Sequence, residues 1–334
     1  MNKVILTASR LETKQRCDMK EFYTYNEGYR PAKISQGLAV GSMVHKGLEA
    51  FWNQKDFYAA VQHMKESMEE EPLYWEGPQG ELSERLSILY LEGYYKKYYS
   101  LFKKLISDGD IRDIEVEKEF RLTIGDYEFA GKMDALYRNK DGSMTIVEHK
   151  TSGRAAADDD GPFWSTLPMN IQMTIYKKAV DEIYGRPTGE QPKVLYDVIM
   201  TTSKRPGQKR PYVRKGDYDT TEGYEAAKVL NVEAPTEFIK RITPDYMGDD
   251  SDQYKRQYIW TTEELYERRF QELIMLEKSQ PSWRGESMRR RSTNSCNDYG
   301  SCPFIRVCLG TQMLDSPDFV KNEKTNPELS SKGN

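Results

Sequence analysis

The chain has 334 residues, 37% of them hydrophobic and 31% charged, with a net charge of −4; this is enough apolar material for one elaborated domain or two ordinary ones. The mixed charge excludes a globally basic nucleic-acid-binding protein, so any polyanion-binding surface must be local. The absence of any run of 18 apolar residues excludes a membrane-spanning helix, the apolar stretch after Met1 is too short for a secretory signal, and the four cysteines are too few for a disulfide framework, so a soluble, cytoplasmic protein is expected.

The predicted elements begin with helices. Ser9 to Tyr25 reads as one helix, with Ser9 at the N-cap, Glu12 at capping-box spacing and Cys17 in its middle. After a break at Gly28–Pro31, Ile34–Trp52 is a second helix, carrying His45. Helices at Phe57–Glu70 and at the tyrosine-rich Leu82–Leu105 follow, separated by Pro72 and Gly77-Pro78.

The pattern then changes to period two. Ile114–Ile124 alternates, turns at Gly125-Asp126, continues as Tyr127–Arg138, turns again at Asn139–Gly142 and returns as Met144–Lys150. The Asp141-Gly142 pair is a hairpin signal. Pro162–Pro168 reads as a loop, Asn170–Tyr184 as a helix and Lys193–Thr202 as a strand. Thr236–Ile242 and Gln257–Trp260 read as short strands, and Thr261–Lys278 as a helix. No internal repeat occurs. Periodicity lapses after Gly310, and residues 311–334 are expected to be a disordered tail. The order predicts an α/β fold: a β-sheet core flanked by helices, in one domain over 1–310. Within it lie a helical section at 30–108, a core at 110–205 and a C-terminal helical and cysteine-bearing region at 261–310.

The residues with the strongest chemical signal lie on the predicted hairpin. Asp134 is embedded in one strand, and Glu148-His149-Lys150 closes the other, directly after the apolar Ile146-Val147. Alternation sends Glu148 and Lys150 to one face and His149 to the other. Two hard oxygen ligands with an ammonium beside them suit a divalent cation and phosphodiester hydrolysis; a surface salt bridge is the plainer explanation of Glu-x-Lys alone. Gln172 and Tyr176, at i and i+4, share one helix face. His45 sits in Gly41-Ser-Met-Val-His45, where a lone helical histidine is more often structural, although the flanking glycines permit close approach of a backbone or ligand.

The cysteines form a second signal. Cys296, Cys302 and Cys308 recur at six-residue intervals, and Cys17 is nearly 280 residues upstream. Four soft ligands suit an iron–sulfur cluster or zinc, and spacing alone does not choose between them. Two basic stretches could hold phosphates: one with Lys204, Arg205, Lys209 and Arg210, the other with Arg289, Arg290 and Arg291 beside the cysteines. Solvated surface charge is the usual explanation of such runs. No Gly-x-x-x-x-Gly-Lys-Ser/Thr phosphate loop occurs, so no NTPase motor is recognisable.

Taken in order, these motifs resemble the RecB-type branch of the PD-(D/E)XK nucleases, and more closely its iron–sulfur members, which include the CRISPR-adaptation exonucleases. Ser9-Arg-Leu with Cys17 and Phe22-Tyr-Thr-Tyr25 is similar to the family's opening helix with its first cluster cysteine. Gly41–His45 resembles the histidine motif, Gly131-Lys-Met-Asp134 the aspartate motif, and Glu148-His-Lys150 the E-x-K motif. Gln172–Tyr176 resembles Q-x-x-x-Y, and Cys302–Cys308 the closing C-x5-C. Two departures stand out: Tyr299 occupies the place of the family's second cysteine, with Cys296 three residues earlier, and the aspartate motif has no literal Pro-Asp.

The resemblance implies a restriction-endonuclease-like mixed sheet flanked by helices and a metal-dependent DNA exonuclease of recombination, repair or end processing, of phage or prokaryotic type. It implies Mg²⁺ or Mn²⁺ held by His45, Asp134, Glu148 and the backbone carbonyl of His149, with Lys150, Gln172 and Tyr176 completing the catalytic set. It further implies a 4Fe–4S cluster on Cys17, Cys296, Cys302 and Cys308, with zinc as the alternative. DNA, single-stranded or with free ends, is the implied partner, and a helicase or recombinase a candidate one. A catalytically inactive DNA-binding protein of this fold and a zinc-stapled enzyme of unrelated fold are the competing readings.

Overall fold

The computed structural model describes residues 4–33, 35–69, 77–153, 156–207, 220–222, 232–298, 300–322, 326 and 329. The chain enters through strand β1 (Ile5–Leu6) and helix α1 (Ala8–Arg16). Thr7 rather than Ser9 is the N-cap, its hydroxyl accepting from the Arg10 N–H at 3.2 Å. Because β1 ends at Leu6, Thr7 is the first hydroxyl free to cap, and Ser9 already lies inside the helix. The single helix expected over 9–25 is interrupted at Cys17, whose backbone is extended (φ −157°, ψ 112°). The helix restarts as α2 (Asp18–Glu21) and runs into a π-helical turn at Phe22–Asn26. Cys17 therefore sits at a corner rather than on a helix face.

Strand β2 (Tyr29–Pro31) precedes the helical section: α3 (Gln36–Trp52), α4 (Phe57–Glu69) and α5 (Gly77–Ser107). Ser35 caps α3 by accepting from Leu38 N–H. Gly77-Pro78, expected as a break, forms the first turn of α5, where a proline's missing N–H costs no helical bond. The period-two region becomes β3 (Ile111–Ile124), β4 (Tyr127–Asn139) and β5 (Met144–Ser152), an antiparallel meander as the alternation predicts. The 162–168 segment is not a plain loop but a short helix, α6 (Pro162–Thr166), and a 3₁₀ turn. Helix α7 (Ile171–Tyr184) then crosses to β6 (Lys193–Met200), which pairs with β5 in parallel.

Residues 236–242, expected as a strand, are helical within α8 (Pro235–Met247). Phe238, Ile242 and Tyr246 are buried at helical spacing, Pro235 fits the first turn, and Glu237 reaches back to the Ala234 N–H. The β-branched residues of this stretch resemble a strand, but its buried positions follow a four-residue step. Strand β7 (Tyr254–Ile259) and helix α9 (Glu263–Ser279), capped by Thr262, follow. Beyond them lie the short α10 (Ile305–Cys308) and β8 (Phe319–Lys321). β8 pairs antiparallel with β2, and Phe319 stacks on Phe304 with centroids 5.2 Å apart. The tail thus contains an ordered strand at 319–321, contrary to the disorder expected from its polar composition: one aromatic anchor and a waiting edge strand suffice to hold it.

Among the described residues the main sheet has six strands. β4 pairs with β3 along one edge; along the other it takes β1 at Glu128–Phe129 and β5 at Ala135–Arg138. β6 and the antiparallel β7 extend the sheet beyond β5. Each face is covered. Helices α3, α4, α5 and α8 pack on the side of Ala135, Val147, Leu195 and Ile199. Helices α1, α7 and α9 pack on the side of Phe129, Ile146, Val194 and Val198. No helix of the described residues is long and apolar enough to cross a membrane.

Candidate active site

Asp134 sits where the sheet comes apart. The β3–β4 ladder passes from Lys118↔Met133 to Val116↔Ala135 and skips Asp134, while the β4–β5 ladder begins only at Ala135↔Val147. On the β3 side the unpaired position is Glu117, with φ +51°, a backbone setting that non-glycine residues adopt at a cost and that collects beside functional sites. On the β5 side the strands diverge after Val147, and Glu148 and Asp134 face each other across the fork. The Asp134 carboxylate takes the His149 N–H at 2.7 Å, replacing the missing ladder bond. The other oxygen lies 3.5 Å from His45 Nδ1. His45 is delivered from α3 by a close approach: a Cβ on Gly41 would meet the Thr151 hydroxyl of β5 at 2.9 Å. One helical turn later, His45 stands over Asp134.

The electrostatics follow from this crowding. Burial works against a charge on Asp134, but the neighbouring His45 outweighs it and holds the carboxyl well below its usual range. His45 is raised in return: burial lowers it, and Asp134 more than compensates. Glu148 is 1% exposed, and its Oε2 has no hydrogen-bond partner. Burial, with Asp134 adding to it and Lys150 opposing it, pushes Glu148 up to about 7. Lys150 Nζ lies 2.5 Å from Glu148 Oε1, and this contact keeps the ammonium charged against its own burial.

Gln172 and Tyr176 of α7 serve Lys150, as their shared helix face predicts. Lys150 Nζ donates to Gln172 Oε1 (3.1 Å), Gln172 Nε2 donates to the Tyr176 hydroxyl (3.0 Å), and Tyr176 donates to the Lys132 carbonyl of β4 (2.5 Å). Gly131 makes room for this: a Cβ there would press on the Tyr176 and Phe120 rings at 2.9 Å. The lysine is thereby tied through α7 to the strand that carries Asp134.

Sequence reading did not anticipate the support behind β5. His149 points to the other face, into the α3–α5 side of the core. Burial pushes it down to about 4, so it is neutral at pH 7. Trp52 Nε1–H donates to His149 Nε2 at 2.6 Å, which leaves the ring proton on Nδ1, 3.5 Å from Asp197 Oδ2. That carboxylate oxygen also accepts from the Tyr94 hydroxyl (2.5 Å) and from Arg256 (2.6 Å). Buried polar groups from α3, α5, β6 and β7 thus surround the residue between Glu148 and Lys150, which Trp52 bonds directly, while its Nδ1 makes no hydrogen bond among the described residues. Asp197 inside the apolar run Val194–Met200 was its one sequence signal. Two further groups face the site unanticipated. Tyr196 pairs with Glu148 across β5–β6, and Glu12 of α1, read only as a capping residue, is raised by burial against the pull of Lys150.

All four cysteines are free, half-buried thiols. Cys17, Cys302 and Cys308 flank one apolar cluster with Met19, Tyr23 and Phe304, and Cys302 N–H donates to the Cys296 carbonyl at 2.7 Å. Burial raises Cys302 and Cys308, and the charges of the neighbouring thiols add to it: Cys17 and Cys296 at Cys302, Cys17 and Cys302 at Cys308. The shared environment and soft donor set fit a thiolate-bound group. As the side chains stand, no three His, Cys, Asp or Glu among the described residues converge as a single-ion site. The hard donors Asp134 and Glu148, with an unpartnered buried oxygen between the strands, fit a divalent cation.

The basic stretches divide. Arg289 is no DNA contact: its guanidinium is buried, bonded to Asp18 (2.7 Å), Glu21 (2.7 Å) and the Ser282 carbonyl (2.7 Å). Arg290 and Arg291 are exposed beside it, and Lys204 pairs with Asp245 at 2.6 Å while Arg205 is exposed. Lys209 and Arg210 lie outside the described residues.

No curated protein sequence matches the chain. Among solved structures it is similar to a Eubacterium rectale protein named "Putative exonuclease", at 13% identity and a TM-score of 0.50, covering 95% of this chain and 91% of that one; at this identity the likeness is one of fold. SSO0001 (15% identity, TM-score 0.28, covering 91% and 96%) and VC1899 from Vibrio cholerae (13%, 0.23, covering 68% and 60%) overlap too loosely to bear on the fold. The model of the PD-(D/E)XK nuclease superfamily matches residues 5–309, so nearly the whole described chain, fork and cysteines included, is spanned by it. With that match and a mixed central sheet flanked by helices, the chain belongs to the PD-(D/E)XK nuclease superfamily.

Proposed function

We propose that the chain is a Mg²⁺- or Mn²⁺-dependent deoxyribonuclease of RecB type that works from DNA ends. One observation carries this reading: Asp134, Glu148 and Lys150 converge where β4 and β5 part, with His45 above them. Asp134 and Glu148 would hold the cation with His45 and the His149 carbonyl. When bound, it polarises the scissile phosphate and lowers the pKa of the attacking water. Lys150, fixed by Glu148 and Gln172, orients that water and answers the charge that develops on phosphate. Tyr176 and Gln172 hold Lys150 through the Lys132 carbonyl, and Trp52, bonded to His149, holds the strand beneath.

The test is cleavage of labelled single- and double-stranded DNA, with open and blocked ends, with and without Mg²⁺ or Mn²⁺. The parental chain should degrade open-ended DNA only with metal. Lys150→Ala should lose cleavage by about 10²–10³-fold while folding and taking up Mn²⁺ as before. Parental-rate cleavage by that variant would refute the mechanism, and DNA binding without cleavage by the parent would leave an inactive binding protein of this fold.

Cys17, Cys296, Cys302 and Cys308 would hold a 4Fe–4S cluster outside the chemistry, joining the α1–α2 corner to the C-terminal segment and closing a long loop. Anaerobically purified protein should then be brown and contain iron, and Cys17→Ala should lose both colour and solubility. Colourless parental protein with stoichiometric zinc would sink this assignment.

A further inference from the structure

A pocket of about 250 Å³ opens at the β7 edge of the sheet, between the loop leading into α6 and the end of the strand. Asp159, Asp160, Trp164, Gln257, Tyr258 and Trp260 line it. Its place relative to the fork follows from strand register: Glu148 pairs with Tyr196, and Tyr196 pairs with Gln257. These three residues form one cross-strand row. Two strand spacings put the Gln257 backbone about 10 Å from that of Glu148. Trp164, buried in the pocket wall, packs on Tyr196 with ring centroids 6.2 Å apart, so a single aromatic layer separates the pocket from the residue beside Glu148.

The chemistry of the lining selects the occupant. Trp260 is 70% exposed and Tyr258 45%, their rings 6.5 Å apart at the mouth; apolar faces this open to water are available for stacking. No cation is among the lining residues, but Lys255 beside the pocket pairs with Asp159 at 3.3 Å, so Asp160 is the carboxylate left to repel phosphate. The Gln257 amide oxygen, its Nε2 turned to the Asp159 carbonyl at 3.3 Å, and the Asp160 carboxylate offer acceptors to amino groups instead. A flat, uncharged, amino-bearing ring satisfies each of these conditions. Resting on the nuclease reading above, we infer that this pocket seats an unpaired nucleobase close to the scissile phosphate, with Trp260 as its stacking face. The backbone would then lie toward Lys150, and a strand still in duplex would have no free base face to present. The site thereby selects single-stranded or frayed DNA.

The experiment uses the full chain carrying Lys150→Ala, so that binding is measured without cleavage, and compares it with the same chain also carrying Trp260→Ala. Anisotropy is read on a labelled single-stranded oligonucleotide and on an abasic strand of equal length and charge. Trp260→Ala should weaken binding of the base-bearing strand about tenfold and leave the abasic strand unchanged. In the otherwise parental chain, Trp260→Ala should raise KM on single-stranded DNA by a similar factor with kcat little altered. Melting of each variant checks the fold, which an exposed side chain should not disturb. Equal binding of the base-bearing strand with and without Trp260, an equal loss on the abasic strand, or no single-strand binding at all would each overturn the inference. Failure of the nuclease reading shows separately, as absent cleavage by the parental chain.

Discussion

Glu148→Gln is expected to abolish cleavage and leave the protein as stable as its parent, or more so. The carboxyl group is 1% exposed, with one oxygen unpartnered and Asp134 across the fork, and burial pushes it up to about 7, so near neutral pH its charged form is only half satisfied and carries a cost. An amide of the same shape removes that burden. Lys150 loses its ion-pair partner but keeps Gln172 at 3.1 Å and is 37% exposed, which limits the compensating cost. The net change in stability should fall between about 0 and 2 kcal/mol in the stabilising direction. Activity goes the other way, because a neutral amide cannot balance a divalent cation. A loss of about 4 kcal/mol in transition-state stabilisation corresponds to about 10³-fold in rate. Urea unfolding and DNA cleavage, measured on one preparation, check both halves. Cleavage within tenfold of the parent, or destabilisation beyond about 2 kcal/mol, would contradict this account of the fork.

The opposite signs explain what was legible in the sequence. Asp134, Glu148 and Lys150 were readable because turns and alternation fix strand faces, and Gln172 with Tyr176 because four-residue spacing fixes a helix face. Such rules act over a few residues and survive without tertiary context. The fork itself did not register, since it is a missing pairing between strands and leaves no local mark beyond Glu117, an ordinary glutamate in an unusual backbone setting. Nor did the polar group of Trp52, His149, Asp197 and Arg256, whose members are brought together from separate elements. Residues 236–242 misled because β-branched composition hid a helical step. Arg289 misled because three consecutive arginines look alike in sequence, although burial separates the first from the other two.

Arg289→Ala is expected to be the most damaging single change outside the fork. Its guanidinium bonds Asp18 and Glu21 and two carbonyls, those of Ser282 and Arg284. Around it, Arg10 pairs with Glu21 at 2.6 Å, and Lys14 with Glu277 and the Ser282 hydroxyl. Three cations and three carboxylates, with side chains at most 6% exposed, thus balance one another between the α1–α2 corner and the segment after α9. Removing this cation strands the buried Asp18 and leaves Glu21 to Arg10 alone, a loss of about 3–5 kcal/mol. Arg290→Ala and Arg291→Ala, on exposed neighbours, should each cost less than about 1 kcal/mol. Arg289→Lys keeps the charge but not the planar fork that reaches four acceptors, and should fall between. In urea, Arg289→Ala should lower the midpoint with little change in slope. If its midpoint matches that of Arg290→Ala, the corner is held by its apolar cluster and the cysteines, and the ionic network contributes little.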